Sequence, residues 1–371
     1  MNGARCRHLV IATGGTGGHV YPAFAIADAY RRRGGTVSLL IGGQHAAEHL
    51  ALATARGIPA AVIRAPRRAV TLGGRCLFPF QLLWASLQAI RQLQPFKGAV
   101  VLGMGSFASV PTCLGALLLR RPLAIHEGNT VIGRANRLLA RRARVLLTSF
   151  PLRTDQQVSA PVEVVGFPVR ESLMHAAALP GHAGGCPRTP GLTPGKPVLL
   201  VFGGSQGATA INDLIDQAFD ELGDTGASCQ VLHLTGTDDN AARLARYQAR
   251  GITAVVKRYE TEMERCYLDA DLVVCRAGAA TIAEMTLFGK AAILIPLPTA
   301  ADNHQAANAT MIADAGAGVS LLQDEGAAAS LASHLRAWLA DPAPWQARGK
   351  ELQRLAKPEA AGTIAERLLG I

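Results

Sequence analysis

The sequence lacks several features that mark whole classes of protein. Its seven cysteines form no C-x-x-C pair and are odd in number, which argues against a disulfide framework and favours reduced thiols in a cytoplasmic protein. The longest apolar runs, FASVPTCLGALLL and AAILIPLPTAA, contain proline and are shorter than the ~18 to 20 residues that span a bilayer. The opening segment MNGARCRHLVIATGG has no signal-peptide core. We therefore expect neither export nor a membrane span.

Two nucleotide-binding fingerprints are also missing. The dinucleotide pattern G-x-G-x-x-G fails because Gly15-Thr16-Gly17 is followed by Val20, and the second predicted strand ends in IGGQ without an acidic residue. The P-loop pattern fails because Pro190 stands where its first glycine belongs and Pro197 follows Lys196. These departures argue against a nicotinamide cofactor and exclude a P-loop NTPase, and we expect no cofactor.

Acidic residues are the scarcer charged type. The chain has 27 Asp and Glu against 37 Lys and Arg, a formal net charge of +10. This balance favours anionic partners, which include nucleic acid, an anionic membrane surface and phosphorylated substrates. Net charge does not distinguish among them.

The 371 residues alternate apolar runs of strand length with helical periods, which predicts an α/β protein of two doubly wound domains. A helix is predicted over Pro22–Arg33, and the Pro- and Gly-rich segment His175–Lys196 is typical of a linker or long loop. Predicted strands lie at residues 8–12, 36–41, 98–103, 122–126 and 144–149, and again at 197–202, 229–235, 253–257, 271–276 and 291–296. The cleft between two such domains is the expected site.

Three glycine turns follow predicted strands, at Gly14–Gly18, Gly103–Ser106 and Gly203–Gly207. Such turns present backbone N–H groups to a phosphate, or they simply allow a tight turn. Asp269 and Asp271 form the D-x-D spacing of some metal sites. Their position at a helix-to-strand junction favours capping and surface exposure, so we expect no metal.

Six segments together resemble the MurG family of bacterial N-acetylglucosaminyltransferases. They are GGTGGHVYPAFAIA, HEGNTVIGRANRLLA, VGFPVR, GGSQGA, CRAGAATIAE and DNHQAANA, in the order of the family and over almost the whole chain. The resemblance implies the GT-B fold, with two Rossmann-like domains facing a deep cleft. It further implies an acceptor- and membrane-facing domain over residues 1–168 and a UDP-GlcNAc-binding domain over 169–345. Residues 346–371 are then C-terminal helices that pack back on the first domain.

The resemblance also implies an activity. Members of this family transfer GlcNAc from UDP-GlcNAc to the C4 hydroxyl of the muramoyl sugar of lipid I, with inversion, to give lipid II. The implied partners are UDP-GlcNAc, lipid I, the anionic inner leaflet and cell-wall or division proteins, with no nucleic acid. The implied location is the cytoplasmic face of the bacterial inner membrane, as a peripheral protein.

Site residues follow from the same resemblance, position by position. His19 is the candidate base, and Glu127 is a second candidate or an orienting group. Arg170 and Ser205 are implied near the donor diphosphate, Glu284 on the ribose hydroxyls and Gln305 on the GlcNAc hydroxyls. The remaining implied contacts are Thr16, Gly17, Gly18, Asn129 and the nucleoside-binding stretch Ala279, Ala280, Thr281, Ile282, Ala283.

Alternatives remain open for several of these residues. Glu284 could be an ordinary exposed helix residue, Arg170 a domain-linker ion pair, and His19 a structural or phosphate-binding group. The chain also departs from the family's H-E-Q-N, G-N-P-V-R and G-G-Y-x-S-x-P patterns, with Gly128, Phe167 and the segment GMGSFASVP. The uracil-contact position falls near Tyr259 and Glu260 and is not assigned.

An apolar cluster with basic neighbours predicts a membrane-binding surface, with core packing as the alternative. Its members are Leu77, Phe78, Phe80, Leu83 and Trp84, flanked by Arg67, Arg68, Arg75 and Arg91. The rival functions are a UDP-GlcNAc epimerase, which does not require this cluster, a transferase acting on another lipid, and a non-enzymatic sugar-nucleotide binding module.

Overall fold

A computed structural model of the chain describes residues 8–65, 72–179, 188–204 and 209–371. The chain divides into two compact units. The first comprises Met1–Arg170 with Pro358–Ile371, and the second comprises Glu171–Lys357. The division differs from the expected one in two respects: the first boundary follows residue 170 rather than 168, and residues 346–357 lie in the second unit.

The first unit contains a parallel sheet with the strand order β3-β2-β1-β4-β5-β6-β7. Its strands in the described part of the chain are β1 (His8–Gly14), β2 (Thr36–Gly42), β3 (Ala60–Val62), β4 (Val100–Gly103), β5 (Leu123–Glu127), β6 (Val145–Thr148) and β7 (Val162–Val164). The order changes direction between β1 and β4, so the loops that follow these two strands diverge. In doubly wound sheets the crevice at such a point is where ligands bind.

Helices cover both faces of this sheet. They are α1 (Gly17–Arg32), α2 (Ala46–Ala55), α3 (Leu72–Leu93), α4 (Val110–Leu118) and α5 (Arg134–Ala140). Leu9 and Ile11 of β1 share a core with α1 and α2, whereas Val10 and Ala12 share a core with α3, α4 and α5. Strands buried on both faces are apolar without alternation, which is why they were predictable.

The second unit repeats this plan with the strand order β10-β9-β8-β11-β12-β13. Its strands are β8 (Val198–Phe202), β9 (Gln230–Leu234), β10 (Thr253–Lys257), β11 (Leu272–Cys275), β12 (Ala292–Leu294) and β13 (Gly318–Ser320). Its helices are α6 (Glu171–Ala178), α7 (Thr209–Leu222), α8 (Asn240–Ala249), α9 (Met263–Asp269), α10 (Ala279–Phe288), α11 (His304–Asp314), α12 (Ala327–Ala340) and α13 (Ala343–Arg354). The start of the predicted linker is therefore helical, because α6 extends to Ala178.

The last helix, α14 (Ala360–Leu369), returns to the first unit and packs on α1. Its apolar face is buried in the same core as α1. Two ion pairs hold its exposed side, one between Arg33 and Glu366 at 2.8 Å and one between Arg367 and Glu163 at 2.8 Å. Exposed pairs of this kind contribute little stability, so apolar packing is the main attachment of α14.

Helix α1 begins at Gly17, five residues before the predicted start at Pro22. Proline is most frequent in the first turn, and that rule suggested Pro22 as the beginning of the helix. The helix instead accepts Pro22 in its second turn, where the missing N–H leaves the carbonyl of Gly18 without its helical partner. Gly17 and Gly18 therefore belong to the first turn of a helix.

Four cysteines in the described part of the chain are buried free thiols: Cys113, Cys229, Cys266 and Cys275. Burial raises the pKa of Cys113, Cys229 and Cys266 to about 12. Because the thiolate is the reactive form, these groups are inert at neutral pH. This agrees with the expected reduced thiols.

Candidate active site

The glycines of the turn after β1 differ in why glycine is needed at each position. Gly14 and Gly15 have φ angles of +142° and +89°, which favour glycine, and a Cβ on Gly14 would lie 1.9 Å from the carbonyl oxygen of Gly42. At Gly18 the only heavy atom that a Cβ would approach within 4 Å is the Thr16 hydroxyl oxygen, at 3.7 Å. Packing therefore explains Gly14, whereas Gly18 borders open space.

The first turn of α1 is suited to an anion. Its N-cap residue, Thr16, makes no side-chain capping hydrogen bond, and the turn holds no acidic residue. Unbonded N–H groups and the helix dipole make such an end positive. Thr16 is exposed, and Gly17 and Gly18 are half-buried, so all three can be reached by a ligand.

His19 follows in the same turn, and its ring is oriented by a backbone carbonyl. The Nδ1 atom lies 3.0 Å from the carbonyl oxygen of Met104, in the loop after β4. Because a carbonyl only accepts hydrogen bonds, Nδ1 carries the proton, and the lone pair of the neutral ring is on Nε2. The ring lies against Gly105, where a Cβ would be 3.6 Å from its Cε1 atom.

Glu127, at the end of β5, is a buried anchor. One carboxylate oxygen accepts hydrogen bonds from the backbone N–H and the side-chain amide of Asn129, at 3.0 and 3.1 Å. The other accepts from the backbone N–H of Gly133 at 3.0 Å and from the amide of Asn136 at 2.8 Å. With four donors on its two oxygens, Glu127 fixes the loop between β5 and α5 and the amide of Asn129.

His126 lies next to Glu127 but points into the protein. Burial lowers its pKa to about 4, so the ring is neutral at physiological pH. Its Nε2 atom lies 3.3 Å from the Ser149 hydroxyl, and its ring meets Phe167 edge-on at 6.0 Å. Phe167, where the family pattern has asparagine, is therefore part of the packing around His126.

Arg170 lies close to the first turn of α1. Its guanidinium carbon is 5.3 Å from the ring centre of Tyr21, which is a cation–π contact. Tyr21 also packs near the helix end, since a Cβ on Gly17 would lie 3.1 Å from its ring. The position of Arg170 thus adds positive charge beside the glycine turn.

In the second unit, α10 begins directly after β11 with Gly278 as its N-cap. Three side chains of the predicted stretch, those of Ala279, Ile282 and Ala283, are buried, and Ala280, Thr281 and Glu284 are half-buried. A carboxylate oxygen of Glu284 accepts a hydrogen bond from the Tyr267 hydroxyl at 2.9 Å. Burial and the neighbouring Glu284 raise the pKa of Tyr267, so this hydroxyl remains a donor. Glu284 is therefore a held carboxylate rather than a free surface side chain.

Gln305 lies in the first turn of α11, and its amide oxygen accepts the backbone N–H of Leu297 at 3.0 Å. Asp302 and Asn303, just before the helix, both have left-handed backbone conformations, with φ of +50° and +53°. Such conformations are uncommon outside glycine and concentrate at functional sites. The turn before Gln305 is thus built from Asp and Asn, the two residue types that adopt this conformation most readily after glycine.

Two residues that the sequence did not single out hold this region together. Arg276 is buried and donates from one guanidinium nitrogen to the carbonyls of Ile295 and Pro296 and to Gln323. Asn308 donates to the carbonyl of Ala277 at 3.0 Å. Both connect the end of β11 to the loop after β12 or to α11. The signal in the sequence was a charged residue, Arg276, directly after the apolar strand β11.

Two further positions were implied near the nucleotide by the resemblance. Tyr259, after β10, exposes 70% of its surface, whereas Glu260 is paired with Lys257 at 2.7 Å. Ser205, predicted near the donor diphosphate, lies outside the described residues.

The D-x-D pair lies between the end of α9 and the start of β11, at the amino end of the second sheet's central strands. Asp269 accepts the backbone N–H of Thr189 at 2.9 Å, and Asp271 accepts that of Val198 at 2.8 Å, where β8 begins. Asp269 is buried, so the expectation of surface exposure is wrong for it, because its carboxylate satisfies buried backbone donors. Among the described residues, no cluster of three or more His, Cys, Asp and Glu side chains could hold a metal ion.

Helix α3 carries an exposed apolar stripe, which we call the α3 stripe. Its members, at helical spacing, are Leu77, Phe80, Leu83, Trp84 and Leu87, with exposed fractions between 45% and 70%. Core packing is therefore excluded for these five side chains. In the part of the chain that the structure describes, no helix has both the length and the apolar character needed to cross a bilayer.

Phe78 differs from its neighbours on α3. It is half-buried, and its ring packs on Phe107 with centres 5.4 Å apart. Phe107 belongs to the loop after β4 that also carries Met104. Arg67 and Arg68 lie outside the described residues, and Arg91 is exposed in the last turn of α3.

Comparison with known proteins identifies the family. Residues 9–148 match the glycosyltransferase family 28 N-terminal domain, and residues 198–364 match the family 28 C-terminal domain. The chain is 41% identical over 358 residues to the UDP-N-acetylglucosamine–N-acetylmuramyl-(pentapeptide) pyrophosphoryl-undecaprenol N-acetylglucosamine transferase of Cellvibrio japonicus. The aligned region covers 96% of each protein.

Solved structures agree with this similarity. MurG of Acinetobacter baumannii superposes with a TM-score of 0.78 at 28% identity, covering 98% of this chain and all of that one. UDP-GlcNAc 2-epimerase of Neisseria meningitidis superposes at 0.70 with 14% identity, covering 98% and 100%, a likeness of fold alone. The GT-B fold expected from the motifs is confirmed. The chain belongs to the MurG family of N-acetylglucosamine transferases, within glycosyltransferase family 28.

Proposed function

We propose that this protein transfers GlcNAc from UDP-GlcNAc to the C4 hydroxyl of the muramoyl sugar of lipid I, with inversion, to give lipid II. The observation that carries the proposal is the similarity over 96% of both chains to a transferase whose name states the donor and the lipid-linked acceptor. The oriented His19 ring beside a positive helix end is the geometry that such a transfer needs.

The proposal is tested by incubating the purified protein with labelled UDP-GlcNAc and a soluble lipid I analogue. The expected product is the acceptor with one added GlcNAc. Conversion of UDP-GlcNAc to an epimer without acceptor would instead establish the epimerase. Labelling of a diacylglycerol or sterol, with none on the lipid I analogue, would establish another acceptor class.

The chemistry follows from the residues of the first unit. In the neutral ring, Nε2 of His19 takes the proton of the acceptor hydroxyl while the sugar's bond to UDP breaks. The resulting imidazolium is stabilised by the Met104 carbonyl, which accepts the Nδ1 proton at 3.0 Å. Glu127 is a less suitable base because each of its two carboxylate oxygens already accepts two hydrogen bonds. Its proposed role is to position Asn129 against the donor.

The donor half of the site is proposed on the second unit. Glu284 accepts hydrogen bonds from the ribose hydroxyls, Gln305 binds the GlcNAc hydroxyls, and the first turn of α10 faces the nucleoside. Ser205 and Arg170 are proposed to lie near the donor diphosphate, where Arg170 neutralises charge on the departing UDP. A carboxylate held by Tyr267 is pre-oriented, and pre-orientation lowers the entropic cost of binding.

Replacing Glu284 with alanine is expected to weaken UDP-GlcNAc binding by about 1 to 3 kcal/mol, because the ribose hydroxyls lose a charged acceptor. Isothermal titration calorimetry measures the change. The matched control is Tyr267→Phe, which keeps the ring between Phe202 and Phe288 and removes only the hydroxyl on Glu284. The control is expected to have a smaller effect on affinity. Equal donor affinity in Glu284→Ala and the wild-type protein would contradict this role.

We propose that the α3 stripe binds the cytoplasmic face of the inner membrane, where a lipid-linked acceptor is available. Five neighbouring side chains, each at least 45% exposed, form an apolar surface. Contiguous apolar surface of this kind is unfavourable in water and marks a site that binds another apolar surface. The net charge of +10 adds attraction to anionic headgroups. The protein is then peripheral, and cell-wall or division proteins are its proposed neighbours.

A further inference from the structure

The segment between β7 and α6 ends in an arginine, Arg170, whose charge is not neutralised by a neighbouring carboxylate. Residues 165–169 are buried, whereas Arg170 is half-buried and directly precedes the first residue of α6. Among the described residues, its guanidinium forms no ion pair and no hydrogen bond, and its contact is with the ring of Tyr21. A guanidinium carries a full charge and several N–H donors, so this group is available to an anion.

The contact with Tyr21 holds the guanidinium without using its donors. The guanidinium carbon lies 5.3 Å from the ring centre, within the ~6 Å at which a cation is attracted to an aromatic face. A carboxylate in the same place would accept N–H groups in pairs and cancel the charge. The ring instead leaves both the charge and the N–H groups to a ligand.

Tyr21 is itself held against helix α1. A Cβ at Gly17 would lie 3.1 Å from the Cε2 atom of the Tyr21 ring, and residues four apart share one face of a helix. Tyr21 is 40% exposed, and within the described residues its hydroxyl makes no hydrogen bond. The ring, rather than the hydroxyl, is therefore the part of Tyr21 that contacts the rest of the protein.

The place where the guanidinium is held is already positive. The first turn of α1 contains no acidic residue, and its N-cap side chain makes no capping hydrogen bond, so the helix end favours an anion. Arg170 adds a full charge beside it. A long arginine side chain loses rotamer freedom when it binds an anion. A guanidinium that is restricted by an aromatic ring has lost part of this freedom before the anion arrives, which favours binding.

We infer that Tyr21 is a positioning residue for Arg170, whose guanidinium its ring holds beside the first turn of α1, where charge develops on the departing UDP. The inference rests on the proposed function, in which Arg170 lies near the donor diphosphate. It assigns the effect to the aromatic face of Tyr21. Phenylalanine should therefore replace tyrosine at this position, and an aliphatic residue should not.

The test compares Tyr21→Leu and Tyr21→Phe with the wild-type protein. Calorimetry measures the affinity for UDP and for inorganic pyrophosphate, and kinetics with a soluble acceptor measure kcat and the acceptor KM. Tyr21→Leu is expected to bind UDP about three- to five-fold more weakly, the loss typical of a removed cation–π contact. Its kcat should fall by at least the same factor, because the charge on UDP grows in the transition state. The acceptor KM should not change, and Tyr21→Phe should restore both UDP affinity and kcat.

A double-mutant cycle with Arg170→Met separates positioning from packing. If the ring acts through the guanidinium, Tyr21→Leu should cause no further loss of UDP affinity in the Arg170→Met background. Melting temperatures of all variants are recorded. A ring that only packs on α1 predicts a lower melting temperature and the same change in UDP affinity in both backgrounds.

Three results would overturn the inference: unchanged UDP affinity in Tyr21→Leu, equal losses in the two backgrounds, or failure of Tyr21→Phe to restore the affinity. A wild-type protein that binds neither UDP nor pyrophosphate would overturn both this inference and the proposed function. Because binding is measured without turnover, a protein that binds UDP but transfers no GlcNAc would contradict the proposed function alone.

Discussion

Alanine in place of His19 is expected to lower kcat by about 10² to 10⁴-fold, the range typical of a lost general base, with little change in donor affinity. The acidic limb of the pH–rate profile should disappear, because that limb reports protonation of the base. Kinetics with a soluble acceptor between pH 5 and 9 measure both effects. An acidic limb that persists in the variant would assign the base elsewhere.

A second variant separates catalysis from folding. Asparagine at position 19 can donate to the Met104 carbonyl, as Nδ1 of the histidine does at 3.0 Å, but it cannot accept a proton. His19→Asn is therefore expected to be as inactive as His19→Ala while melting near the wild-type temperature. Recovery of activity in His19→Asn would mean that the contact with Met104, rather than the proton transfer, is what the histidine supplies.

The second large effect is expected at the α3 stripe. Joint replacement of Phe80, Leu83 and Trp84 with serine should weaken binding to anionic vesicles by at least about 100-fold, since each apolar side chain that enters the interface contributes about 1.5 to 3 kcal/mol. Turnover of a water-soluble acceptor should remain near the wild-type rate, because these side chains are more than half exposed. Vesicle co-sedimentation and solution kinetics measure the two quantities.

Phe78 is the matched comparison for this experiment. It lies on the same helix but packs on Phe107, so Phe78→Ser is expected to lower stability and disturb the loop after β4. A triple stripe variant that unfolds would contradict the membrane assignment. So would a stripe variant that still binds vesicles like the wild-type protein.

Much of the architecture could be predicted because buried parallel strands leave a strong sequence signal. All ten predicted strands are present, and nine of them are mostly buried; the exception is β10, a partly exposed strand at the edge of its sheet. Among the described residues, the strands that escaped prediction are β3, β7 and β13, each of three residues. They lie at the sheet edges, where partial exposure removes the continuous apolar pattern.

Chemical roles were harder to predict than positions. Glu127 and His19 were both candidate bases, since a histidine and a carboxylate near a glycine turn have similar sequence signatures. The partners that distinguish them are Met104, which is 85 residues from His19, and the donors on the loop from Asn129 to Asn136. No local pattern contains that information.

The sequence by itself determined the fold class, the family, the glycine turns and the residue types of the site, because these depend on hydrophobic periodicity and short motifs. The tertiary structure alone decided which nitrogen of His19 holds the lone pair, that Glu127 is a buried anchor, and that Phe78 packs inward while Phe80 faces out. It also decided that the Arg170 guanidinium lies over the ring of Tyr21. Hydrogen-bond partners and burial depend on residues brought together from distant parts of the chain, so only the folded protein specifies them.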